Sequence, residues 1–384
     1  MTNIVFVSEM KDMKVDASST QIMTYNLLYG LKMAGYNVTF IAVCNDACDK
    51  QSVIDDYSPI VSKIYCVPSA MNLLSKKRNL LSKYLVQIKC SFISTWYKKQ
   101  LDSLSLEDDF EIVLTHLPAI ESAFYANAFK KEKPSLRYIE FWSDPYARSG
   151  LSSNDKLPLK RLIMKILEYS ILEKADEVVY GTSLLRDTQA KEYSNLASIM
   201  RSCDVSYTVY SNKIDVPSFF DNDYPLIGYI GGYKSTYRNI EPLYRTFCEH
   251  PELGNLILCG FSDVERNEKK NIKIIKRCSP QYALGIEDQL DIHVCLLNMT
   301  MSQIPGKLFY QTNSKKPILV ILDGPDKEII KKYLEKFNRF EFTENNDESV
   351  YLALKRIIEK GSNVSVETPE LLSPVRFAES IIVR

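Results

Sequence analysis

The chain of 384 residues is long enough for two large domains of roughly 150 residues each. With 45% hydrophobic and 25% charged residues, it reads as a folded globular protein, not a disordered, collagen-like or disulfide-scaffold chain. Lysine and arginine equal aspartate and glutamate at 48 each, so no global field draws the chain to nucleic acid.

Apolar runs at residues 3–7, 37–43, 63–67, 111–115, 136–141 and 177–180 predict strands. Their near-continuous apolar character suits strands covered on both faces. Helical patterns at 19–33, 118–131, 157–173 and 184–193 alternate with them, which makes a βαβ series. A polar, Pro-containing passage at 211–225 follows, and the series restarts with strands at 226–231, 255–259, 272–276, 292–297 and 317–322. Helices are expected there at 239–250, 281–289, 326–337 and 347–360. The reading is two α/β domains, residues 1–210 and 211–368, with a C-terminal helix at 369–384 able to pack back on the first. Open parallel sheets bind ligands beyond the carboxyl ends of their strands, so two facing sheets would form a cleft between domains.

No apolar run reaches the roughly 18 residues of a membrane span, and the start, MTNIVFVSEM, lacks the marks of a secretory leader. Nine scattered cysteines without a CxxC indicate reduced thiols in a cytoplasmic protein. Three histidines are too few to complete structural zinc sites with them.

Four stretches carry a family pattern: LLYGLKMAGYNV at 27–38, EIVLTH at 111–116, IGYIGGY at 227–233 with Arg238-Asn239 following, and IPGKLF at 304–309 leading to KPIL at 316–319. In order and spacing they resemble the bacterial GT-B glycosyltransferases, which have two Rossmann-like α/β/α domains facing across a deep cleft. Within that group the likeness is to the retaining family 4, the glycosyl transferases group 1 of surface polysaccharide biosynthesis. The resemblance implies transfer of a sugar from a nucleotide-sugar donor to a hydroxyl of a lipid-linked glycan acceptor, in O-antigen or capsule-type assembly, without a metal or other cofactor. Two departures stand out. Ser19-Thr20 occupies the place of the family's glycine pair, where a hydroxyl at a helix start can still serve an anion or an acceptor. Ser302 and Tyr310, or one residue on Gln303 and Gln311, stand where the family has two glutamates. Glutamine accepts a ribose hydrogen bond but brings no charge.

Sugar transfer must neutralise charge growing on the departing diphosphate, a task for backbone amides, Arg and Lys in a metal-free fold. Gly231, Gly232, Tyr233 and Arg238 form one candidate donor-binding group. Gln303, Pro305, Gly306, Lys307, Tyr310 and Gln311 form the other, and Lys234 is a weaker cationic candidate. His116 is expected at a strand end, pointing at the donor sugar. Asp144 or Glu9 would orient the acceptor hydroxyl or act as base. Ser19, Thr20, Trp142 and Tyr146 would grip the acceptor.

Residues 60–101 contain eight basic residues and no acid. Within this run Lys76, Lys77, Arg78 and Lys83 accompany an apolar stripe of Leu81, Leu85, Ile88, Phe92 and Trp96, a pattern suited to an anionic membrane surface. Peripheral attachment to the inner face of the cell membrane is therefore expected. A nucleotide-sugar epimerase and a catalytically silent partner subunit are the rival readings.

Overall fold

A computed structural model describes residues 2–10, 18–46, 48–71, 88–106, 109–147, 158–221, 223–299, 303–361 and 368–383. The chain forms two compact units, Met1–Val205 with Pro374–Arg384, and Ser206–Ser373.

The first unit is built on a seven-stranded sheet of β1 (Asn3–Met10), β2 (Asn37–Cys44), β3 (Lys63–Pro68), β4 (Ile112–Leu117), β5 (Arg137–Trp142), β6 (Glu177–Tyr180) and β7 (Met200–Ser202), in the order β3-β2-β1-β4-β5-β6-β7. Every pairing is parallel. All six residues of β4 are buried, as expected of a central strand covered on both faces. Helices Ser19–Met33, Lys50–Tyr57, Ser94–Asp102, Ile120–Glu132, Pro158–Leu172 and Ser183–Glu192 connect and cover the strands.

The C-terminal helix Pro374–Ile382 packs on this unit, where a Cβ at Gly30 would overlap the carbonyl oxygen of Pro374. Arg137 donates to the carbonyl of Ile382 at 2.6 Å, and Arg201 to those of Ser380 and Ile381. Cations thus satisfy the orphan carbonyls at the helix end. Glu177 holds both guanidiniums, at 2.6 and 3.1 Å.

The second unit repeats the plan with six parallel strands: β8 (Leu226–Ile230), β9 (Asn255–Cys259), β10 (Ile272–Ile275), β11 (Ile292–Leu296), β12 (Ile318–Leu322) and β13 (Glu341–Glu344), in the order β10-β9-β8-β11-β12-β13. Its helices are Glu241–Glu249, Pro280–Gln289, Lys307–Tyr310, Lys327–Glu335 and Asp347–Lys360. This unit begins before residue 211. The Tyr207 amide donates to the Leu372 carbonyl at 2.9 Å and the Thr208 amide to that of Tyr310 at 3.3 Å, tying 206–210 into it. All nine cysteines are free thiols.

Candidate functional site

In the first sheet the strand order reverses between β1 and β4, the place where open α/β sheets take ligands. A cavity of about 250 Å³ lies there, lined by Glu9, Thr20, Gln21, Asn45, Ser69 and Pro118 among others. Thr20 lines this cavity, while Ser19 is exposed outside the lining. The helix cap is Ser18, whose amide donates to the Gln21 side chain at 3.0 Å.

Glu9 is already engaged. Its carboxylate accepts the Glu121 amide at 3.1 Å, and its own amide donates to Ser122 Oγ at 3.1 Å. It satisfies an orphan amide at the start of the Ile120–Glu132 helix, where the dipole favours negative charge. Glu121 next to it is buried and receives Ser69 Oγ at 2.6 Å and the Ala70 amide. Burial pushes its carboxyl above the ordinary value against those hydrogen bonds.

Two expectations for the first unit are corrected. His116 lies inside β4, paired in register with Phe141, and is fully buried. Its Nδ1 is 2.8 Å from Thr24 Oγ1 and its ring 4.8 Å from that of Phe141. Burial lowers its pKa to about 3, which favours the neutral imidazole, and its Nε2 has no hydrogen-bond partner among the described residues. Trp142 is likewise fully buried at the end of β5, donating Nε1–H to Glu140 at 2.9 Å. An indole inside the core offers no face to a sugar.

After β5, Asp144 and Tyr146 are partly exposed in the turn. Glu168 from the Pro158–Leu172 helix holds this turn by accepting the amides of Tyr146 at 3.0 Å and Ala147 at 3.2 Å, and the Tyr193 hydroxyl at 2.7 Å.

The second sheet reverses between β8 and β11. The loops at this reversal approach each other through backbone. Gly260, at φ +147°, and Gly324, at φ +81°, stand where a Cβ would overlap the carbonyl oxygens of Gly231 and Asn298 respectively. Arg238 is fixed among them, donating Nε–H to Asn298 Oδ1 at 3.0 Å and Nη1–H to the Gly232 carbonyl at 3.0 Å and the Tyr229 hydroxyl at 3.2 Å. All these partners are neutral, and among the described residues no carboxylate pairs with Arg238. Asn298, only 1% exposed, also donates Nδ2–H to the Gln303 carbonyl at 3.0 Å. It thereby connects the Gly231-Gly232 turn to the loop of Gln303, Pro305 and Gly306, all partly exposed. Sequence reasoning missed Asn298 and Tyr229; Asn298 follows a strand at a reversal point, the one signal that marks it.

The remaining donor candidates are engaged with neighbouring side chains. Lys307 pairs with Glu287 of the Pro280–Gln289 helix at 2.7 Å. Burial opposes its charge, yet the adjacent carboxylate outweighs this and holds the ammonium above its ordinary pKa. Gln311 accepts from Cys295 Sγ at 3.1 Å and donates to Glu287 at 3.4 Å. Tyr233 and Tyr310 are buried, with the Tyr233 ring 5.8 Å from that of Tyr229. Lys234 lies 4.7 Å over the Phe261 ring. Ser302 lies outside the described residues. Among the described residues no group of three or more His, Cys, Asp or Glu side chains is placed to hold a metal ion.

The basic residues Lys76, Lys77, Arg78 and Lys83, with Leu81 and Leu85, lie outside the described residues. Of the stripe, Trp96 packs against the core, its ring 5.1 Å from Tyr97 and 6.2 Å from Tyr125, whereas Phe92 is 81% exposed. Among the described residues no helix is long and apolar enough to cross a membrane.

No protein-family model and no curated protein matches the sequence. Solved structures do. The catalytic domain of starch synthase IV from Arabidopsis thaliana, bound to ADP and acarbose, aligns with TM-score 0.61 at 9% identity, covering 99% of this chain and 96% of that one. UDP-GlcNAc 2-epimerase from Neisseria meningitidis, bound to UDP-GlcNAc, aligns with TM-score 0.53 at 11% identity over 100% and 98%. The glycotransferase of kitacinnamycin aligns with TM-score 0.54 at 13% identity over 99% and 98%. The chain has the GT-B fold, two parallel-sheet α/β domains, which glycosyltransferases share with UDP-GlcNAc 2-epimerases.

Proposed function

We propose that this chain is a nucleotide-sugar-dependent glycosyltransferase resembling the retaining family 4. It moves a sugar to a hydroxyl of a lipid-linked glycan acceptor in cell-surface polysaccharide assembly. The observation that carries the reading is Arg238, a guanidinium held at the second sheet's reversal point by neutral partners alone. Among the described residues no carboxylate cancels its charge, and three hydrogen bonds set its orientation. Preorganised charge of this kind stabilises negative charge that grows during reaction, with little reorganisation. The diphosphate of a nucleotide sugar carries such growing charge.

In the retaining course the departing phosphate oxygen takes the acceptor proton itself. The engagement of Glu9 and the burial of His116 are compatible with that course. Thr20 and the turn of Asp144 and Tyr146 are the acceptor contacts in this reading, with Asp144 orienting the hydroxyl. Because Arg238 supplies the cation, turnover should survive excess EDTA. The acid-free basic run holds the enzyme at an anionic membrane surface.

The UDP-GlcNAc 2-epimerases among the structural neighbours favour one second reading, interconversion of a nucleotide sugar without an acceptor. A thermal-shift panel of nucleotide sugars tests both, since a ligand at a hundred times its dissociation constant adds about 2.7 kcal/mol of stability. The transferase reading expects a stabilising donor that is consumed only when a glycan acceptor is added. Conversion of UDP-GlcNAc to its 2-epimer without acceptor would replace it with the epimerase reading.

A further inference from the structure

The second unit holds another cavity, of about 310 Å³. It lies toward the amino ends of β11 and β12, away from the carboxyl-end loops that carry Arg238. Its lining includes His293 at the start of β11, Ser314 and Lys316 just before β12, Tyr310, Asn313 and Thr208.

The lining carries two carboxylates, Glu287 and Asp288, and two lysines, Lys213 and Lys316, and two more cations, Lys307 and Arg339, bond to lining residues from outside it. Its two carboxylates are each matched by a lysine, Glu287 by Lys307 at 2.7 Å and Asp288 by Lys213 at 2.7 Å. Two further cations are left. Lys316 donates to the Asp288 carbonyl at 2.8 Å and has no carboxylate partner among the described residues. Arg339, 4% exposed, sits behind the turn that lines the cavity and donates to the carbonyls of Thr312 at 3.3 Å, Lys316 at 2.8 Å and Ser314. Its Nη1 has no hydrogen-bond partner. Burial without a counter-charge draws its pKa down to about 10, the sign of a cation whose desolvation is not offset by an ion pair. His293, 3% exposed, places Nε2 3.2 Å from Ser314 Oγ and leaves Nδ1 without a partner.

We propose that this cavity is a second ligand site, for a phosphate monoester with a hydroxylated organic part. A phosphate carries about −1.5 to −2 charge at neutral pH together with three strong acceptor oxygens. That charge is attracted by Lys316 in the lining and by Arg339 behind it. The rest of the cavity, bordered by Tyr310, Asn313 and Thr208, offers the polar and aromatic surface that a sugar or nucleoside portion requires. The site does not depend on Arg238, so it stands or falls separately from the proposed donor site.

The test is thermal shift of the full chain with inorganic phosphate and with glucose 6-phosphate at matched ionic strength, in wild type, Lys316→Gln and Arg238→Ala. Lys316 is a partly exposed residue, so its Gln variant should fold; Arg339 is left intact because its carbonyl contacts hold the turn. Both probes should stabilise wild type and Arg238→Ala alike, glucose 6-phosphate the more tightly. Lys316→Gln should need at least tenfold more of either probe for the same shift. The proposal is overturned if wild type shows no shift, if Lys316→Gln responds as wild type does, or if Arg238→Ala alone loses the response. Binding of inorganic phosphate with exclusion of glucose 6-phosphate would overturn the monoester.

Discussion

Each unit's sheet reverses its strand order once, yet the side chains near the two reversals are used differently. In the first, groups with chemical potential are closed into internal bonds: Glu9 caps a helix, His116 is enclosed with Thr24 and Phe141, and Trp142 is bonded to Glu140. In the second, Arg238 is equally well held, but by neutral oxygens that leave its charge intact. A strand-end position thus identifies a candidate, and the partners around it decide whether its chemistry remains available. Lys307 makes the same point inside the second unit, since Glu287 cancels its charge.

Substitutions can break this contrast. The largest effect is expected for Trp142→Ala, which removes a fully buried indole and leaves Glu140 without its Nε1–H donor. A loss of about 3–5 kcal/mol in urea unfolding is expected, with turnover per folded molecule near wild type. Retained stability with lost turnover would return Trp142 to the acceptor site. Lys307→Ala should cost about 1–3 kcal/mol, because it leaves the Glu287 carboxylate, 17% exposed, without its cation. Its turnover should stay within a few-fold of wild type; a tenfold fall would mean that Lys307 leaves Glu287 to meet the donor.

A smaller effect concerns pH. Burial raises the Glu140 carboxyl to about 7, against the hydrogen bonds from Trp142 and Tyr138. The folded state therefore holds this proton more tightly than the unfolded state does. The resulting stability is complete below the unfolded value of about 4.5 and is lost as pH rises through about 7. Glu140→Gln carries no such proton. Its unfolding free energy, measured between pH 4.5 and 8, should fall less with rising pH than that of wild type; parallel curves would contradict the assignment.

Most of the fold was legible in the sequence because strands buried on both faces are continuous apolar runs between amphipathic helices. The exceptions have physical causes. β7 has three residues, two of them polar, and β13 reads EFTE. Both are edge strands, with less of the two-sided burial that writes an apolar run. The helices Lys50–Tyr57 and Ser94–Asp102 are short and mostly polar, each with few buried positions. The position of Arg238 after a strand and a glycine pair was legible in the sequence. The fates of Lys307 and His116 were not, because each depends on a residue remote in sequence, Glu287 or Thr24. Asn298 escaped for the same reason, lying 60 residues from the arginine it holds.

In the proposed function the Arg238 guanidinium meets a nucleotide-sugar diphosphate. Calorimetric titration of the donor identified by thermal shift into wild type and Arg238→Ala tests it most directly. Affinity should weaken at least tenfold, about 1.4 kcal/mol, with the unfolding midpoint of the unliganded variant close to wild type and affinity for the matching free nucleoside unchanged. Equal donor affinity in the two proteins would contradict it.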